Sequence, residues 1–368
     1  MKRYKVLQIN KLYYPWIGGI EKVVQNIAEV LKSEVDMEVL VCRNRGRGRN
    51  EIINNAKVMR AGSLGIFFSM PLSLSFPIML KRLNRDILHF HLPFPLGVIS
   101  YLLMRPKGKV VVTYHSDIIR QRLAKILYRP FLMKFLKRAD SIITSSQNLK
   151  DNSPALKGFQ DKCKVIPFGI DLEEFRLTPE IAKRAQEIKE KHKGPLILFV
   201  GRFVYYKGLE YLIEAMKNIE ARLLIIGRGP LEKKLKKMAQ RFAISNKIVW
   251  IGEVSRKDLI SFYHACALLA LPSISNNEAF GIVQLEAFTC GKPVISTNLP
   301  TGVPFVNLHQ KTGLIVPPKD SEALSRAINS LLKSPNLREQ YGRYARERVE
   351  KEFTRELMAQ KVLKLYKT

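Results

Sequence analysis

Acidic residues, cysteines and long uncharged apolar runs are all scarce in this sequence. Its 368 residues include 62 Lys and Arg against 32 Asp and Glu, a net charge of +30. The four cysteines are scattered without paired spacing, which argues against a disulfide framework or a zinc site and suits a reducing compartment. The nearest candidate for a membrane span, residues 61–80, is interrupted by Gly62, Gly65, Pro71 and Pro77, so we expect no transmembrane helix.

The amino terminus shows no targeting pattern. MKRYKVLQIN is basic, but Tyr13 and Pro15 follow before any long apolar stretch, so we interpret it as a first β-strand and expect a cytoplasmic protein. The basic excess is denser in the first half of the chain and favours anionic partners such as phosphorylated substrates, acidic lipid headgroups or nucleic acid. A host proteome rich in Lys and Arg is the alternative explanation.

The length suits two domains, and short apolar runs alternate with longer amphipathic stretches. Runs rich in Val, Ile and Leu are typical of strands buried on both faces of a parallel sheet. In the first half these runs are Lys5–Ile9, Glu38–Cys42, Ile87–Phe90, Lys109–Tyr114, Ser141–Thr144 and Lys164–Pro167; in the second half they are Leu196–Val200, Arg222–Ile226, Ile248–Ile251, Leu268–Leu271, Pro293–Ser296 and Gly313–Val316. We therefore predict an α/β protein with two Rossmann-like domains.

The domain boundaries follow from where the pattern restarts. We predict an N-terminal domain over residues 1–170 and a C-terminal domain over residues 171–350, with Phe168–Pro179 as the hinge. Residues 334–367 show helical periodicity and mixed charge. We expect the last helix, residues 351–368, to return to the N-terminal domain.

The segment Ser273–Gly291, SISNNEAFGIVQLEAFTCG, predicts a loop that leads into a helix over Phe280–Thr289. Gly291 is placed to cap the end of that helix. The unpaired amides near Phe280, Gly281 and Ile282 form a natural seat for a phosphate.

Two glutamates flank this helix start. Glu278 lies just before it, and Glu286 lies about two turns inside, where its carboxylate could accept hydrogen bonds from vicinal hydroxyls. An ordinary strand, loop and helix with solvated glutamates is the alternative.

Glycine turns follow three further predicted strands. LILFVGRFVYYKG places Arg202 and Lys207 at the carboxyl end of a parallel strand, where an anionic ligand is expected to bind. Arg202 can contact phosphate oxygens as a planar fork and Lys207 as a mobile point charge. Gly227–Pro230 and Gly252–Val254 follow the next two strands. Together these turns predict a nucleotide site in the second half.

Four motifs in this half, VGRFVYYKG, IIGRGP, IVWIGEV and NEAFGIVQLEAFTCGKPVIST, resemble those of retaining GT-B glycosyltransferases of family 4, including the paired glutamates of the last motif. The resemblance implies two parallel-sheet domains facing each other across a cleft. It also implies a role for each matched residue. Arg202 and Lys207 would hold the diphosphate, and Glu278 would contact the donor sugar. The amides of Phe280, Gly281 and Ile282 would contact the sugar or the phosphates. Glu286 would bind the ribose hydroxyls, and Gly252–Val254 would lie beside the base.

The first half resembles the family more loosely. In YPWIGGIE, Gly18 and Gly19 would let a diphosphate approach the backbone, and in TYHSD, His115 matches a histidine that faces the donor sugar in many relatives. A turn with two convenient glycines and a hydrogen-bonded core histidine are the alternatives. His89 and His91 have the spacing of a metal pair, but without an evident third ligand we interpret them as lining the cleft.

The expected reaction is transfer of a hexose from a nucleoside-diphosphate sugar, of the GDP-mannose or UDP-sugar type, to a glycan with retention of configuration. No Asp-x-Asp motif lies at a strand end, so we expect no metal and no cofactor beyond the donor. A sugar-nucleotide epimerase of similar fold is the alternative enzyme. A basic nucleic-acid-binding protein is the alternative from another class, although no nucleic-acid-binding module accompanies the charge.

The acceptor has no motif of its own. Residues 118–139, IIRQRLAKILYRPFLMKFLKRA, are basic and apolar, which suits the surface of an anionic membrane. We therefore expect a lipid-linked glycan acceptor and peripheral association with the cytoplasmic face of the cell membrane. Ordinary core helices are the alternative for this stretch and for residues 61–80.

Overall fold

The computed structural model describes residues 3–16, 18–54, 56–67, 70–117 and 122–368, with the backbone alone for residues 122–125. The chain divides into two compact units. Unit 1 comprises Met1–Gly169 and Arg355–Thr368, and unit 2 comprises Ile170–Thr354. The boundaries expected from the sequence were 170 and 350.

The strands in chain order are β1 (Lys5–Ile9), β2 (Asp36–Cys42), β3 (Arg49–Ile53), β4 (Ala56–Ala61), β5 (Ile66–Phe67), β6 (Met70–Pro71), β7 (Ile87–Leu92), β8 (Lys109–Tyr114), β9 (Ser141–Thr144), β10 (Cys163–Val165), β11 (Leu196–Val200), β12 (Arg222–Ile226), β13 (Ile248–Gly252), β14 (Leu268–Leu271), β15 (Val294–Thr297) and β16 (Gly313–Val316).

The helices in chain order are α1 (Gly19–Leu31), α2 (Ser75–Arg82), α3 (Pro95–Met104), α4 (Arg122–Arg138), α5 (Gln147–Asn152), α6 (Pro179–His192), α7 (Leu209–Ala215), α8 (Glu232–Arg241), α9 (Arg256–Ala265), α10 (Ile282–Thr289), α11 (Val303–Val306), α12 (Ser321–Lys333), α13 (Pro335–Glu352) and α14 (Arg355–Lys367).

Unit 1 contains an 8-stranded sheet in the order β10-β9-β8-β7-β1-β2-β4-β3. Its pairings are parallel except for β3 with β4, which is antiparallel. The central strands β1 and β7 are buried along almost their whole length, as their continuous apolar runs predict. Helix α14 packs on α1 of the same unit, so the end of the chain belongs to unit 1.

Unit 2 contains a 6-stranded sheet in the order β13-β12-β11-β14-β15-β16, and all of its pairings are parallel. Its core is formed by the apolar faces of these strands and of helices α7, α8 and α12. The strand order reverses between β11 and β14, as it does in doubly wound nucleotide-binding domains. The α/β class with two parallel-sheet domains is confirmed.

Residues 61–80 do not form one long apolar element. They contain the end of β4, the short antiparallel pair of β5 with β6, and the first turns of α2. Among the residues that the structure describes, no helix is both long enough and apolar enough to cross a bilayer.

Candidate active site

The loops that follow β11 and β14 meet at the point where the strand order of unit 2 reverses. In open parallel sheets the loops at such a point diverge and leave a crevice in which ligands bind. The loop after β11 carries Arg202 and Lys207, and the loop after β14 carries Glu278. The loops touch directly, because the backbone N–H of Ile274 donates to the carbonyl of Tyr206 at 2.8 Å.

Gly208 permits this close approach. It has left-handed backbone angles, φ 63° and ψ 24°, and immediately precedes α7. A Cβ at this position would lie 2.0 Å from the carbonyl oxygen of Pro272, in the loop after β14. Only glycine therefore allows the loop that carries Lys207 to pack against the loop that carries Glu278.

Lys207 and Glu278 form a nearly buried ion pair. Lys207 Nζ lies 2.6 Å from Glu278 Oε2, and 11% of each side chain is exposed. The same carboxylate oxygen accepts from Ser273 Oγ at 2.9 Å. Burial alone would lower the pKa of Lys207, but the charges of Glu278 and Glu286 and the neighbouring Tyr206 phenol outweigh it, so the pKa is raised. Lys207 is therefore a fixed cation at the crevice.

Arg202 supplies a second cation with no competing partner. Its side chain is exposed and makes no ion pair or hydrogen bond within the described part of the chain. It lies close enough to Tyr206 to influence the pKa of that phenol, which is raised by burial. A charged guanidinium beside the Lys207–Glu278 pair is available to an anionic ligand.

Helix α10 begins later than the sequence predicts. It starts at Ile282 rather than Phe280, because Gly281 takes left-handed angles, φ 74° and ψ 62°, as the N-cap. A Cβ on Gly281 would lie 2.8 Å from both Gln284 Nε2 and Leu271 Cδ2. The Phe280 ring is buried, so a ligand could contact this residue only through its backbone.

Glu286 is buried on α10 and is held by two donors. Arg256 Nη1 donates to Oε1 at 2.7 Å, and the Tyr263 hydroxyl donates to Oε2 at 2.5 Å. Arg256 also binds both carboxylate oxygens of Glu174, at 2.8 and 3.1 Å, and stacks on the Phe175 ring. Each oxygen of Glu286 retains acceptor capacity for a ligand hydroxyl, in an orientation fixed by its partners.

Sequence reasoning missed three residues that support the site: Ser273, Arg256 and Tyr263. A signal for Arg256 was present. Ser255 caps α9 by accepting from the Asp258 amide at 3.1 Å, a serine-to-aspartate spacing typical of helix starts. Recognition of that start would have placed Arg256 on the first turn after a strand.

The other two glycine turns of unit 2 pack on their neighbours. A Cβ on Gly227 would lie 2.1 Å from the carbonyl oxygen of Gly201, so the turns after β11 and β12 are in backbone contact. Gly252 ends β13, and its carbonyl accepts from the Gly227 amide at 2.8 Å. Val254 is partly exposed beside this turn. These contacts give the glycines an internal packing role in addition to any contact with a ligand.

The glycines predicted in the first half lie at the start of α1 in unit 1. Gly18 is the N-cap, with extended φ, and Gly19 is the first helical residue and is exposed. A Cβ on Gly18 would lie 2.3 Å from Glu21 Oε2, so the carboxylate folds back over the helix start. Burial raises the pKa of Glu21. A diphosphate at Gly18 would require this carboxylate to move or to be protonated.

His115 follows β8 in unit 1 and is buried. Its Nε2 lies 3.0 Å from His91 Nδ1, and its ring stacks near Phe168. Burial lowers the pKa of His115 to about 3, so the imidazole is neutral at physiological pH. The interpretation of His89 and His91 as lining residues is wrong, because both are fully buried and hydrogen-bonded inside the unit.

The structure therefore brings Arg202, Lys207, Glu278 and Glu286 into one neighbourhood of unit 2, whereas Gly18, Gly19 and His115 belong to unit 1. In the described ranges no group of three or more His, Cys, Asp or Glu side chains is close enough to hold a metal ion. Parallel-sheet units with cations and carboxylates at the switch point form a class of α/β fold whose switch point commonly binds anionic, nucleotide-like ligands.

Known proteins place the chain within this class. A family model described as glycosyl transferases group 1 matches residues 180–348, and one described as glycosyltransferase family 4 matches residues 17–174. An O-antigen chain mannosyltransferase C of Escherichia coli is 34% identical over 99% of this chain and 98% of its own. A D-rhamnosyltransferase of Pseudomonas aeruginosa is 32% identical over 95% and 92%.

Solved structures share the fold. The structure of Anabaena HepE in complex with UDP and glucose covers 100% of both chains with a TM-score of 0.80 at 18% identity. The chain belongs to the group 1 glycosyltransferases of family 4, which have the GT-B fold, and it is a glycosyltransferase.

Proposed function

We propose that the protein transfers a hexose from a nucleoside-diphosphate sugar to a growing glycan, with retention of configuration, in the synthesis of a surface polysaccharide. The buried pair of Lys207 with Glu278 at the switch point of unit 2 carries the proposal. It places a fixed cation and a carboxylate side by side, where a donor presents its diphosphate next to its sugar.

The diphosphate is bound by Arg202 and Lys207. When the glycosidic bond breaks, negative charge develops on the leaving phosphate, and preorganised cations stabilise that charge in the transition state. The charge of Lys207 is already held by its pairing with Glu278, in spite of burial, and the exposed Arg202 can bind the ligand as a fork. We propose that these side chains, together with the amide of Ile282 at the start of α10, neutralise the leaving group without a metal ion.

Other residues of unit 2 contact the sugar, the ribose and the base of the sugar nucleotide. Glu278 and the backbone amides of Phe280 and Gly281 contact the donor sugar, and Glu286 accepts from the ribose hydroxyls. Arg256 donates a hydrogen bond to one oxygen of Glu286 and Tyr263 donates to the other, which orients the carboxylate before the ligand binds. The turn Gly252–Val254 lies beside the base.

Retention follows from attack on the face that the leaving group occupies. We propose no covalent intermediate, because Glu278 and Glu286, the carboxylates of unit 2 that we propose to contact the donor, are held by Lys207 and Arg256 in binding roles. We propose that the leaving phosphate itself accepts the proton of the attacking hydroxyl. Within unit 1 we propose that Gly18, Gly19 and His115 contact a bound sugar or phosphate, as the family resemblance implies.

The relatives indicate the classes of donor and acceptor. Two of them are named as a mannosyltransferase and a rhamnosyltransferase, the first acting on an O-antigen chain, and the Anabaena protein was crystallised with UDP and glucose. We propose a mannose-type donor with GDP as the first candidate and UDP-sugars as the second. The acceptor is a lipid-linked glycan.

Membrane association of unit 1 is supported by helix α4. Tyr128, Leu132, Phe135 and Leu136 are buried, but Ile126, Leu127 and Phe131 are exposed by 66%, 74% and 46%. Exposed Arg129, Lys134 and Lys137 lie on the same helix. An exposed helix that combines bulky apolar and basic side chains suits the surface of an anionic bilayer, where a lipid-linked acceptor would be found.

The donor site is tested with Lys207→Ala and Glu278→Gln in the full chain. Binding of GDP-mannose, UDP-glucose and the free diphosphates is measured by calorimetry, and donor turnover by release of the nucleotide. Each variant is expected to lose roughly 10²–10³-fold in turnover, because each removes a group aligned with the transition state.

Lys236→Ala is the matched control. It breaks a Lys–Glu pair of similar length, 2.7 Å to Glu232, on the surface of the same unit and should leave turnover unchanged. Turnover by Lys207→Ala within a factor of two of the wild type would refute the proposed donor site, provided that the variant unfolds at the same temperature as the control.

A further inference from the structure

A row of fully buried polar side chains crosses three neighbouring strands of unit 1. Gln8 lies on β1, His89 and His91 on β7, and Thr113 on β8, and these strands are adjacent in the sheet. Tyr366, from α14, covers the row, and His115 lies at its end. None of the six is more than 4% exposed.

Five short contacts join these side chains into one chain. His115 Nε2 lies 3.0 Å from His91 Nδ1, His91 Nε2 lies 2.5 Å from Gln8 Oε1, and Gln8 Nε2 donates to the Tyr366 hydroxyl at 2.9 Å. The Tyr366 hydroxyl lies 2.6 Å from His89 Nδ1, and His89 Nε2 lies 2.7 Å from Thr113 Oγ1.

The Gln8 carboxamide sets the direction of every proton in this chain. Its oxygen can only accept, so His91 carries its proton on Nε2 and presents Nδ1 as an acceptor. His115 must then donate through its own Nε2. On the other side, the amide nitrogen donates to the Tyr366 hydroxyl and also lies 3.3 Å from His89 Nδ1. Because an amide nitrogen can only donate, His89 Nδ1 is an acceptor, so Tyr366 donates to it and His89 donates through Nε2 to Thr113. All three histidines are thereby neutral Nε2–H tautomers.

Burial keeps the row uncharged. It lowers the pKa of His89 and His115 to about 3 and that of His91 well below its usual range. A neutral imidazole with one committed N–H has a single remaining site, the lone pair of the other nitrogen. For His115 that site is Nδ1, which has no hydrogen-bond partner within the described ranges.

We infer that Gln8 and His91 are positioning residues that hold His115 as the Nε2–H tautomer, so that its Nδ1 can only accept a hydrogen bond. The partner of His115 in a bound ligand must then be a donor, which excludes a phosphate oxygen, and we infer that it is a hydroxyl of the transferred sugar. This last step rests on the proposed function, whereas the tautomer does not.

The tautomer is read directly by NMR of the full chain labelled with ¹⁵N-histidine. The chain has six histidines, so replacing His89, His91 and His115 one at a time assigns the three signals. In each of the three rings we expect Nδ1 at the position of an unprotonated nitrogen and Nε2 at that of an N–H. A reversed Gln8 amide would reverse the whole chain and show three Nδ1–H rings. That result, or an imidazolium at neutral pH, would overturn the inference.

Variants separate positioning from general stability. Gln8→Leu and His91→Phe remove the acceptors that fix the chain, so His115 should change to a mixture of tautomers. Tyr366→Phe is the matched control, because it removes a buried hydroxyl from the same chain on the side away from His115. The His115 signals of this variant should match the wild type, and a change there equal to that of Gln8→Leu contradicts the inference.

The ligand step has a separate readout. GDP-mannose and UDP-glucose are titrated against the labelled protein, with GDP and UDP as controls. The Nδ1 signal of His115 should shift with a sugar nucleotide and not with the free diphosphate. If the tautomer is as expected and neither sugar nucleotide shifts Nδ1, the contact with the sugar is refuted and the positioning role of Gln8 and His91 stands.

Discussion

At the scale of single residues, Glu286 shows how the site is prepared before a ligand binds. A buried carboxylate is unfavourable unless it is paired, and Arg256 and Tyr263 provide that pairing. Arg256 serves a second carboxylate, Glu174, from the segment that precedes α6. Arg256 therefore orients Glu286, which we propose to bind the ribose, and also holds Glu174 near the start of unit 2.

The role of Arg256 can be measured with a double-mutant cycle. Arg256→Ala should lower the free energy of unfolding by about 1–3 kcal/mol, because it leaves Glu174 and Glu286 together without a cation. With Glu174→Ala, the coupling energy from urea denaturation should be about 1 kcal/mol or more, since the two residues share one hydrogen-bond network. Arg346 and Glu350, an exposed pair on α13, serve as the control cycle, with an expected coupling of about 0.3–0.5 kcal/mol. Additive effects at Arg256 and Glu174 would contradict this account.

Individual site residues were predictable from the sequence to different degrees. Arg202 and Lys207 could be proposed because they follow a predicted strand, and Glu278 and Glu286 because they flank a predicted helix start, while their roles came from the family resemblance. Their pairing could not, since the contact of Lys207 with Glu278 depends on two loops that meet across the sheet.

At the scale of elements, Gly208 controls whether the loops after β11 and β14 can meet. Gly208→Ala introduces a left-handed strain of about 1–3 kcal/mol and a clash with the Pro272 carbonyl. Gly291→Ala is a closely matched control, because Gly291 has nearly the same φ, 66° against 63°, and a Cβ there would meet no atom within 4 Å.

Chemical denaturation of both glycine variants isolates the loop contact. Gly291→Ala should lower the free energy of unfolding only by the cost of the left-handed strain. Gly208→Ala should lower it by at least about 1 kcal/mol more, since its clash involves a backbone carbonyl that cannot rotate away. Gly208→Ala should also weaken binding of a sugar nucleotide, because it separates Lys207 from Glu278. Equal losses of stability in the two variants would show that the close approach is unimportant.

Secondary-structure elements were predicted correctly where a short stretch of sequence is enough to determine them. The strands Lys5–Ile9, Leu196–Val200 and Leu268–Leu271 have the predicted bounds, because apolar runs of that length have few alternatives in a parallel sheet. Strand β3 was missed, since RNEII is an exposed, antiparallel edge strand without an apolar run. The start of α10 was misplaced because Gly281 adopts left-handed angles as the N-cap, in a space where a Cβ would lie 2.8 Å from Leu271 Cδ2, and the sequence pattern shows neither feature.

At the scale of the whole molecule, the net charge of +30 is far larger than the proposed donor site requires, since that site uses only the two cations Arg202 and Lys207. Much of the excess is on the surface, and α4 combines it with exposed apolar side chains. A protein of this charge is attracted to any anionic surface over about one Debye length, but binding that persists requires apolar insertion as well.

Flotation with vesicles tests whether α4 provides that insertion. The wild-type chain should float with phosphatidylglycerol vesicles at low salt and less well with phosphatidylcholine alone. Binding should weaken as salt rises, because the Debye length falls from about 10 Å at 0.1 M to about 3 Å at 1 M. Replacing Ile126, Leu127 and Phe131 with glutamine should reduce flotation severalfold while every basic residue remains. Leu177→Gln with Tyr344→Gln, which removes exposed apolar side chains from unit 2, should leave flotation unchanged. Absence of wild-type flotation at low salt would exclude the membrane role and attribute the basic surface to another anionic partner.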